Sequence, residues 1–131
     1  MSKYSLILSP NTSSNTRISV LELCVNGSSV FQLFIDEILE KGNLEGDLFG
    51  AIRNLELAAD LKRLPKTKFR ELKGYDINGK LYEAKYGSVR IYHFHEEHNG
   101  RIIVLGGLKS HQKKDIKSAV KTIKDYQNEK K

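Results

Sequence analysis

Two runs of alternating residues, LYEAKY and VRIYHF, constrain the fold of this chain more than any other feature. They are separated only by Gly87 and Ser88, and glycine at the first of two central positions is typical of a type II′ hairpin turn. A two-residue turn fixes the register of the strands on either side of it. The predicted cross-strand pairs are Tyr86–Val89, Lys85–Arg90, Glu83–Tyr92 and Leu81–Phe94.

Side chains alternate between the two faces of a strand, so this hairpin has two chemically different faces. The face that we expect to meet the core carries Tyr82, Ala84, Tyr86, Val89, Ile91 and His93. The face that we expect to be open carries Leu81, Glu83, Lys85, Arg90, Tyr92 and Phe94. Like charges directly opposite each other destabilise a sheet by a few tenths to about 1 kcal/mol. Lys85 and Arg90 are such a pair, and either Glu83 or a bound anion would relieve their repulsion. Alternatively, the two side chains simply lie in solvent and bind nothing.

The remaining periodic segments predict a single α+β domain with a mainly antiparallel sheet of about four to five strands. They indicate a helical hairpin before the main strands and one helix at the C-terminus. The predicted elements are a strand over 17–25, a helix from Ser29 to Gly42, a helix from about 43–47 to Leu64, strands over 69–74 and 101–108, and a helix over 112–126. We expect residues 18–131 to form the domain and residues 1–17 to form a flexible extension.

Charge is distributed unevenly along the chain. Residues 1–64 contain 6 Lys/Arg and 8 Asp/Glu, a net −2, whereas residues 65–131 contain 16 and 8, a net +8. A basic half of this kind is typical of proteins that bind nucleic acid or an acidic protein, although lysine-rich faces are often only solvated. Cys24 is the one cysteine, and no apolar run approaches membrane-spanning length. We therefore expect a cytoplasmic protein with no membrane partner.

The four histidines differ in their sequence context. His95 and His98 flank two glutamates in one polar turn, where we expect a solvated loop rather than a metal site. His93 lies on the apolar face of the hairpin and is expected to be a hydrogen-bonded core or edge residue. His111 lies between Lys109 and Lys113, just before the last helix, where an imidazole can meet a phosphate or simply face solvent.

The order of these elements resembles the RelE/ParE toxin superfamily, and in particular its HigB branch of phage-derived type II toxins. The stretches FRELKG, LYEAKYGSVRIYHF and IIVLGGLKSHQKKDIKSAV resemble the strands and the basic link into the final helix of that family. SSVFQLFIDEIL resembles its first helix, and the likeness extends from about Ile18 to Tyr126. The resemblance implies a RelE-like fold.

The resemblance further implies a toxin that cleaves translated mRNA on the ribosome. In such an mRNA interferase the 2′-OH of the RNA attacks the phosphate, without a metal or another cofactor, and the protein supplies charge and proton transfers. The implied partners are the ribosome, mRNA and a cognate antitoxin, expected to be of the helix-turn-helix type.

The resemblance also assigns roles to residues. The expected catalytic residues are Lys85, Arg90 and His111, with Arg90 stabilising the phosphate and Lys85 or His111 moving protons. The expected RNA-binding residues are Lys73, Tyr92, Lys109 and Lys113. Two positions depart from the family pattern. Glu83 stands where some members have a lysine, and Lys117 stands near a position that can be a catalytic tyrosine.

Two other functions are compatible with this fold. ParE-like members bind DNA gyrase and cleave no RNA, and a non-catalytic member would retain only RNA or antitoxin binding. A gyrase inhibitor would not require a basic cluster on the sheet, so that cluster favours RNA cleavage. Codon preference, the identity of the general base and acid, the antitoxin docking surface and the oligomeric state stay open at this point.

Overall fold

The computed structural model describes residues 2–129, and these form three helices and a seven-stranded sheet. The strands are β1 (Tyr4–Leu8), β2 (Val20–Val25), β3 (Ser28–Ser29), β4 (Phe69–Leu72), β5 (Leu81–Tyr86), β6 (Val89–Glu96) and β7 (Gly100–Leu108). The helices are α1 (Val30–Lys41), α2 (Glu45–Ala59) and α3 (Gln112–Glu129), and a 3₁₀ turn (Lys109–His111) precedes α3.

The sheet is open and mixed, in the order β1-β2-β7-β6-β5-β4, with the short β3 paired to β2. Neighbouring strands are antiparallel except β2 and β7, which are parallel. The chain is therefore α+β, as expected, but its sheet has more strands than the four to five predicted. β7 lies between β2 and β6, and Ile102, Ile103 and Val104 are fully buried. The run of Ile102, Ile103 and Val104 is typical of such a central strand, which is buried on both faces.

The hairpin of β5 and β6 has the predicted register. Lys85 pairs with Arg90, Glu83 with Tyr92, and Tyr86 with Val89 at the end of the ladder. Gly87 has φ +54°, the left-handed conformation that the first central residue of a type II′ turn requires. The predicted cross-strand pairing of this hairpin is therefore confirmed at each of the predicted pairs.

Both faces of the sheet are covered, which contradicts the expectation of an open face. α1 and α2 pack on the face that carries Ala84, Val89, Ile91 and Ile103. α3 packs on the opposite face through Ile116, Ala119, Ile123 and Tyr126, which contact Leu81, Tyr92, Phe94, Ile102 and Val104. Leu81, Tyr92 and Phe94, which were expected to lie on an open face, therefore form a second hydrophobic core beneath α3. Polar groups on that face lie near the hairpin turn.

The first two helices are bounded partly as predicted. The Ser29 side chain accepts a hydrogen bond from Gln32 N at 3.1 Å, and Gly42 ends α1 with φ +72°. α2 ends at Ala59 rather than near Leu64. Leu61 there adopts φ +63°, and Lys62 N donates to Leu57 O at 2.9 Å. This Schellman-type ending stops the helix before Pro65, the residue that would otherwise end a helix reaching Leu64.

The prediction that residues 1–17 are a flexible extension missed strand β1. Tyr4–Leu8 pairs along its whole length with β2, and the Tyr4 hydroxyl donates to Asp125 of α3 at 2.6 Å. Tyr4 also packs edge-on against the ring of Tyr126. The β1 segment therefore belongs to the second core. Residues 1, 130 and 131, at the ends of the two predicted ranges, lie outside the described residues.

Within residues 2–129, none of the helices is both long enough and apolar enough to cross a bilayer.

The contribution of β1 to stability is testable with two substitutions in the same strand. Tyr4 is 9% exposed and Ile7 is 42% exposed. We expect Tyr4→Ala to lower the free energy of unfolding by about 2–4 kcal/mol, because it empties a site in the second core. Ile7→Ala should cost less than about 1 kcal/mol. Urea denaturation measures both, and equal, negligible effects would show that β1 is a dispensable extension.

Candidate functional site

Polar and charged side chains gather around Glu83 at the end of the sheet nearest the hairpin turn. We call this group the Glu83 cluster, and it consists of Arg70, Glu83, Lys85, Arg90, Tyr92, Lys109 and Gln112. Glu83 is fully buried, and burying a carboxylate is costly unless it is paired and hydrogen-bonded. Its surroundings therefore decide whether this end of the sheet is stable.

Glu83 is held by side chains from two other elements. Arg70 Nε, on the neighbouring strand β4, lies 2.9 Å from Glu83 Oε1 and forms a salt bridge. Gln112 Nε2, at the first residue of α3, donates to Glu83 Oε2 at 2.8 Å. The carboxylate thus joins β4, β5 and the start of α3, and fixes where the last helix begins over the sheet.

Lys85 is half-buried next to Glu83 on the same face of β5. Burial lowers the pKa of its ammonium group, and the positive charges of Arg70, Arg90 and Lys109 lower this pKa further. Glu83 is the group that opposes the shift. A lysine with a lowered pKa exchanges its proton more readily near neutral pH, which suits a proton-transfer role.

Arg90 is placed opposite Lys85, as predicted, but it is 7% exposed. Its Nη1 donates to Gly87 O at 2.8 Å and to Val89 O at 3.0 Å, while its Nε is buried without a hydrogen-bond partner. In this arrangement the guanidinium holds the hairpin turn. The positive charge of Arg90 lowers the pKa of Lys85, although the guanidinium itself has little exposed surface.

Tyr92, predicted as an RNA-binding residue, is fully buried beneath α3. Burial raises the pKa of its hydroxyl, and the nearby carboxylates of Glu83 and Asp115 raise this pKa further. No base can stack on a ring that has no exposed surface. Tyr92 therefore acts here as a core residue whose hydroxyl lies close to Glu83.

Lys109, His111 and Lys113 are all exposed, around the link from β7 into α3. Lys109 N donates to Ser88 O at 2.8 Å, which anchors this link to the hairpin turn. The ammonium group of Lys109 is close enough to Lys85 to affect its pKa. His111 and Lys113 lie on the turn and on the helix that follow, so this part of the predicted site is contiguous.

Lys73 is separate from the cluster. It follows the last residue of β4, Leu72, which pairs with Leu81 at the opposite end of β5 from Lys85. Four residues of extended strand span roughly 13 Å. Lys73 is exposed at that far end, so the structure does not bring it together with the other predicted residues.

Sequence reasoning missed the two partners of the buried carboxylate. The sequence places Arg70 in the basic half of the chain and Gln112 at the start of a helix, and neither residue is predicted to contact Glu83. The alternation of β4 gives a partial signal for Arg70, because a cation on a strand next to Glu83 can pair with it. Gln112 has no local signal, since its contact depends on how α3 returns across the sheet.

The end of β6 and the polar turn after it contain His95, Glu96, Glu97 and His98. Among residues 2–129 there is no group of three or more His, Cys, Asp or Glu side chains that could hold a metal ion.

Comparisons of the chain with protein-family models, with curated proteins and with solved structures found no match.

The electrostatic role of Glu83 can be measured at Lys85. We expect Glu83→Gln to lower the pKa of Lys85 below its wild-type value, because the substitution removes the negative charge that opposes the lowering. Titration followed by NMR at the Lys85 side chain measures both values. Glu97→Gln removes an equal charge from an exposed turn residue and should leave the pKa of Lys85 unchanged. An unchanged or raised pKa in Glu83→Gln would contradict the proposed arrangement.

Proposed function

We propose that this chain is the toxin of a type II toxin–antitoxin system and acts as a ribosome-dependent mRNA interferase. The observation that carries the proposal is the meeting of four cationic side chains around one buried carboxylate, at one end of the sheet. These cations are Arg70, Lys85, Arg90 and Lys109. Such a concentration of positive charge is suited to the phosphodiester of RNA, whose negative charge increases in the transition state of cleavage.

The order of elements also supports the resemblance to the RelE/ParE superfamily. β2 and the two-residue β3 are followed by two helices, four strands and a closing helix. The basic segment 109–113 forms the link into that last helix, as the resemblance implies, and lies beside the hairpin turn. The fold-level likeness is an analogy, however, and function depends on the site.

The chemistry assigned to the site is the attack of the RNA 2′-OH on the adjacent phosphorus. The bond from phosphorus to the 5′ oxygen breaks, leaving a 2′,3′-cyclic phosphate and a 5′-hydroxyl. One group must accept the 2′-OH proton and another must protonate the leaving oxygen. Lys85, with its lowered pKa, and His111, exposed on the adjoining turn, are the proposed proton carriers.

The other residues have supporting roles in this proposal. Lys109 and Lys113 are exposed and are proposed to bind the RNA backbone. The Arg90 guanidinium donates hydrogen bonds to the hairpin turn. We therefore propose that Arg90 stabilises the phosphate by its positive charge at a distance and not by direct contact. Tyr92 is not retained as a base-stacking residue, because its ring is buried.

A cell-free translation reaction with purified protein and a defined mRNA tests the function. Primer extension should detect cuts, spaced by codons, only on mRNA that is being translated. Lys85→Met and His111→Ala should each reduce the cutting rate by roughly 10²–10⁴-fold, because each removes a proton carrier. Lys66→Met, which removes an equal charge from an exposed loop residue outside the cluster, should cut like wild type.

Two results would contradict parts of the proposal. Equal cutting by wild type, Lys85→Met and His111→Ala would place the active site elsewhere. Intact mRNA in the presence of folded protein that still arrests growth would favour the ParE-like alternative, inhibition of DNA gyrase by binding. A supercoiling assay with purified gyrase then tests that alternative directly.

A further inference from the structure

A second group of polar side chains lies on the opposite face of the sheet, and its hydrogen-bonding capacity is largely unused. Six buried side-chain nitrogen or oxygen atoms in the described part of the chain have no hydrogen-bond partner. Four of them belong to neighbouring residues: His93 Nε2, His95 Nδ1, Arg101 Nε and Arg101 Nη1. Unpartnered buried polar atoms are rare in folded proteins, and each requires a physical explanation.

These residues form one cluster because of the sheet register. His95 pairs with Arg101 across β6 and β7, and His93 pairs with Ile103, so all of them share the face that α1 and α2 cover farther along. The rings of Phe69 and Tyr82 complete the group, which we call the Arg101 cluster. Glu83, Lys85 and Arg90 alternate onto the other face. The two clusters are therefore distinct.

Arg101 is a buried cation without an anionic partner. It is 8% exposed, and the three salt bridges formed among residues 2–129 are Lys3–Asp125, Arg53–Glu56 and Arg70–Glu83. Its guanidinium carbon lies 4.6 Å from the centre of the Tyr82 ring and 5.3 Å from that of Phe69. These rings attract the cation. The Tyr82 hydroxyl also interacts with the guanidinium and opposes the lowering of its pKa, whereas Arg101 Nε and Nη1 have no hydrogen-bond partner.

The two histidines add complementary chemistry. Burial and the charge of Arg101 lower the pKa of His93, so its ring is neutral. Its Nδ1 lies 3.3 Å from Ile91 O, which places the ring proton there and leaves Nε2 as an acceptor. A ligand that satisfies the cluster therefore needs anionic oxygens for Arg101 and a hydroxyl for His93. Hydrogen phosphate and phosphate monoesters that retain a proton have both.

The cluster adjoins an open groove of about 1190 Å³. Tyr82 and His95 belong both to the cluster and to the wall of the groove, and Lys80 and Lys124 supply positive charge along it. The groove also contains acidic side chains, Asp76, Glu96 and Glu97. The groove brings solvent to Tyr82 and His95, the two members of the cluster in its wall, and has room for more than a phosphate group.

We propose that the Arg101 cluster is a binding site for a phosphate group, with the Arg101 guanidinium as its charge partner and the His93 and His95 imidazoles completing its hydrogen bonds. The site is separate from the Glu83 cluster and does not depend on the proposed RNA cleavage. The phosphate group can be free phosphate or the phosphate of a monoester, and these two sources are distinguished by experiment.

Thermal unfolding in phosphate, compared with chloride at equal ionic strength, tests the site on the whole chain. Binding to the folded state should raise the Tm of the wild type by roughly 10 °C when phosphate exceeds its dissociation constant about 100-fold. Arg101→Met should abolish this rise. Arg63→Met removes the same charge from an exposed residue outside both clusters, and should retain the rise.

An NMR titration of the wild type avoids any dependence on the folding of variants. Inorganic phosphate should shift the imidazole resonances of His93 and His95 saturably and with one common dissociation constant, whereas any response of His111, beside the Glu83 cluster, should follow a separate curve. Equal responses of all the histidines, or an equal rise of Tm in Arg101→Met, would show general screening of a basic protein and overturn the proposal. No response in either experiment would also overturn it, because the aromatic rings and water would then be sufficient partners for Arg101.

Competition identifies the source of the phosphate. Displacement of inorganic phosphate by adenosine 5′-monophosphate but not by adenosine would show that the site recognises the phosphate of a monoester. Failure of the monophosphate to displace it would restrict the site to the free ion. Equal displacement by adenosine would contradict the proposal, since the recognised group would then be the nucleoside.

Discussion

The buried carboxylate of Glu83 is the interaction on which the basic end of the sheet depends. It is fully enclosed and is held at 2.9 Å by Arg70 and at 2.8 Å by Gln112. Its negative charge offsets the repulsion between Lys85 and Arg90, which stand opposite each other on adjacent strands. Removing Arg70 would leave the fully buried carboxylate without its charged partner, although solvent reduces the strength of this pair because the Arg70 side chain is 38% exposed.

Arg70 and Arg101, on opposite faces of the sheet, differ in whether they have a carboxylate partner. On one face, Glu83 gives Arg70 a close partner, and the surplus positive charge of Lys85 and Lys109 faces outward. On the other face, Arg101 is buried without a carboxylate partner, packs against the rings of Phe69 and Tyr82 and interacts with the Tyr82 hydroxyl. This contrast within one small domain suggests two anion sites. In the Glu83 cluster, the carboxylate of Glu83 balances part of the positive charge. In the Arg101 cluster, a bound ligand would supply all of the negative charge that balances Arg101.

The sequence predicted local structure better than it predicted which surfaces are covered. The turn at Gly87 fixed the register of β5 and β6 because a two-residue loop allows only one pairing, and Ser29 and Gly42 bounded α1 through short-range hydrogen bonds. Whether Tyr92 is exposed depends on α3, which returns from a distant part of the chain. The sequence contained a signal for this burial, since Leu81, Tyr92 and Phe94 alternate on one face and need a cover.

The central claim is that the Glu83 cluster cleaves RNA through the 2′-OH, and the ends of the mRNA fragments test it most directly. Fragments from a translation reaction with the purified chain can be ligated with and without prior phosphorylation of their 5′ ends. The account predicts a 5′-hydroxyl on each downstream fragment and a 2′,3′-cyclic phosphate on each upstream one. Fragments with 5′-phosphates and free 3′-hydroxyls would mean that water is the attacking group, and would contradict the account.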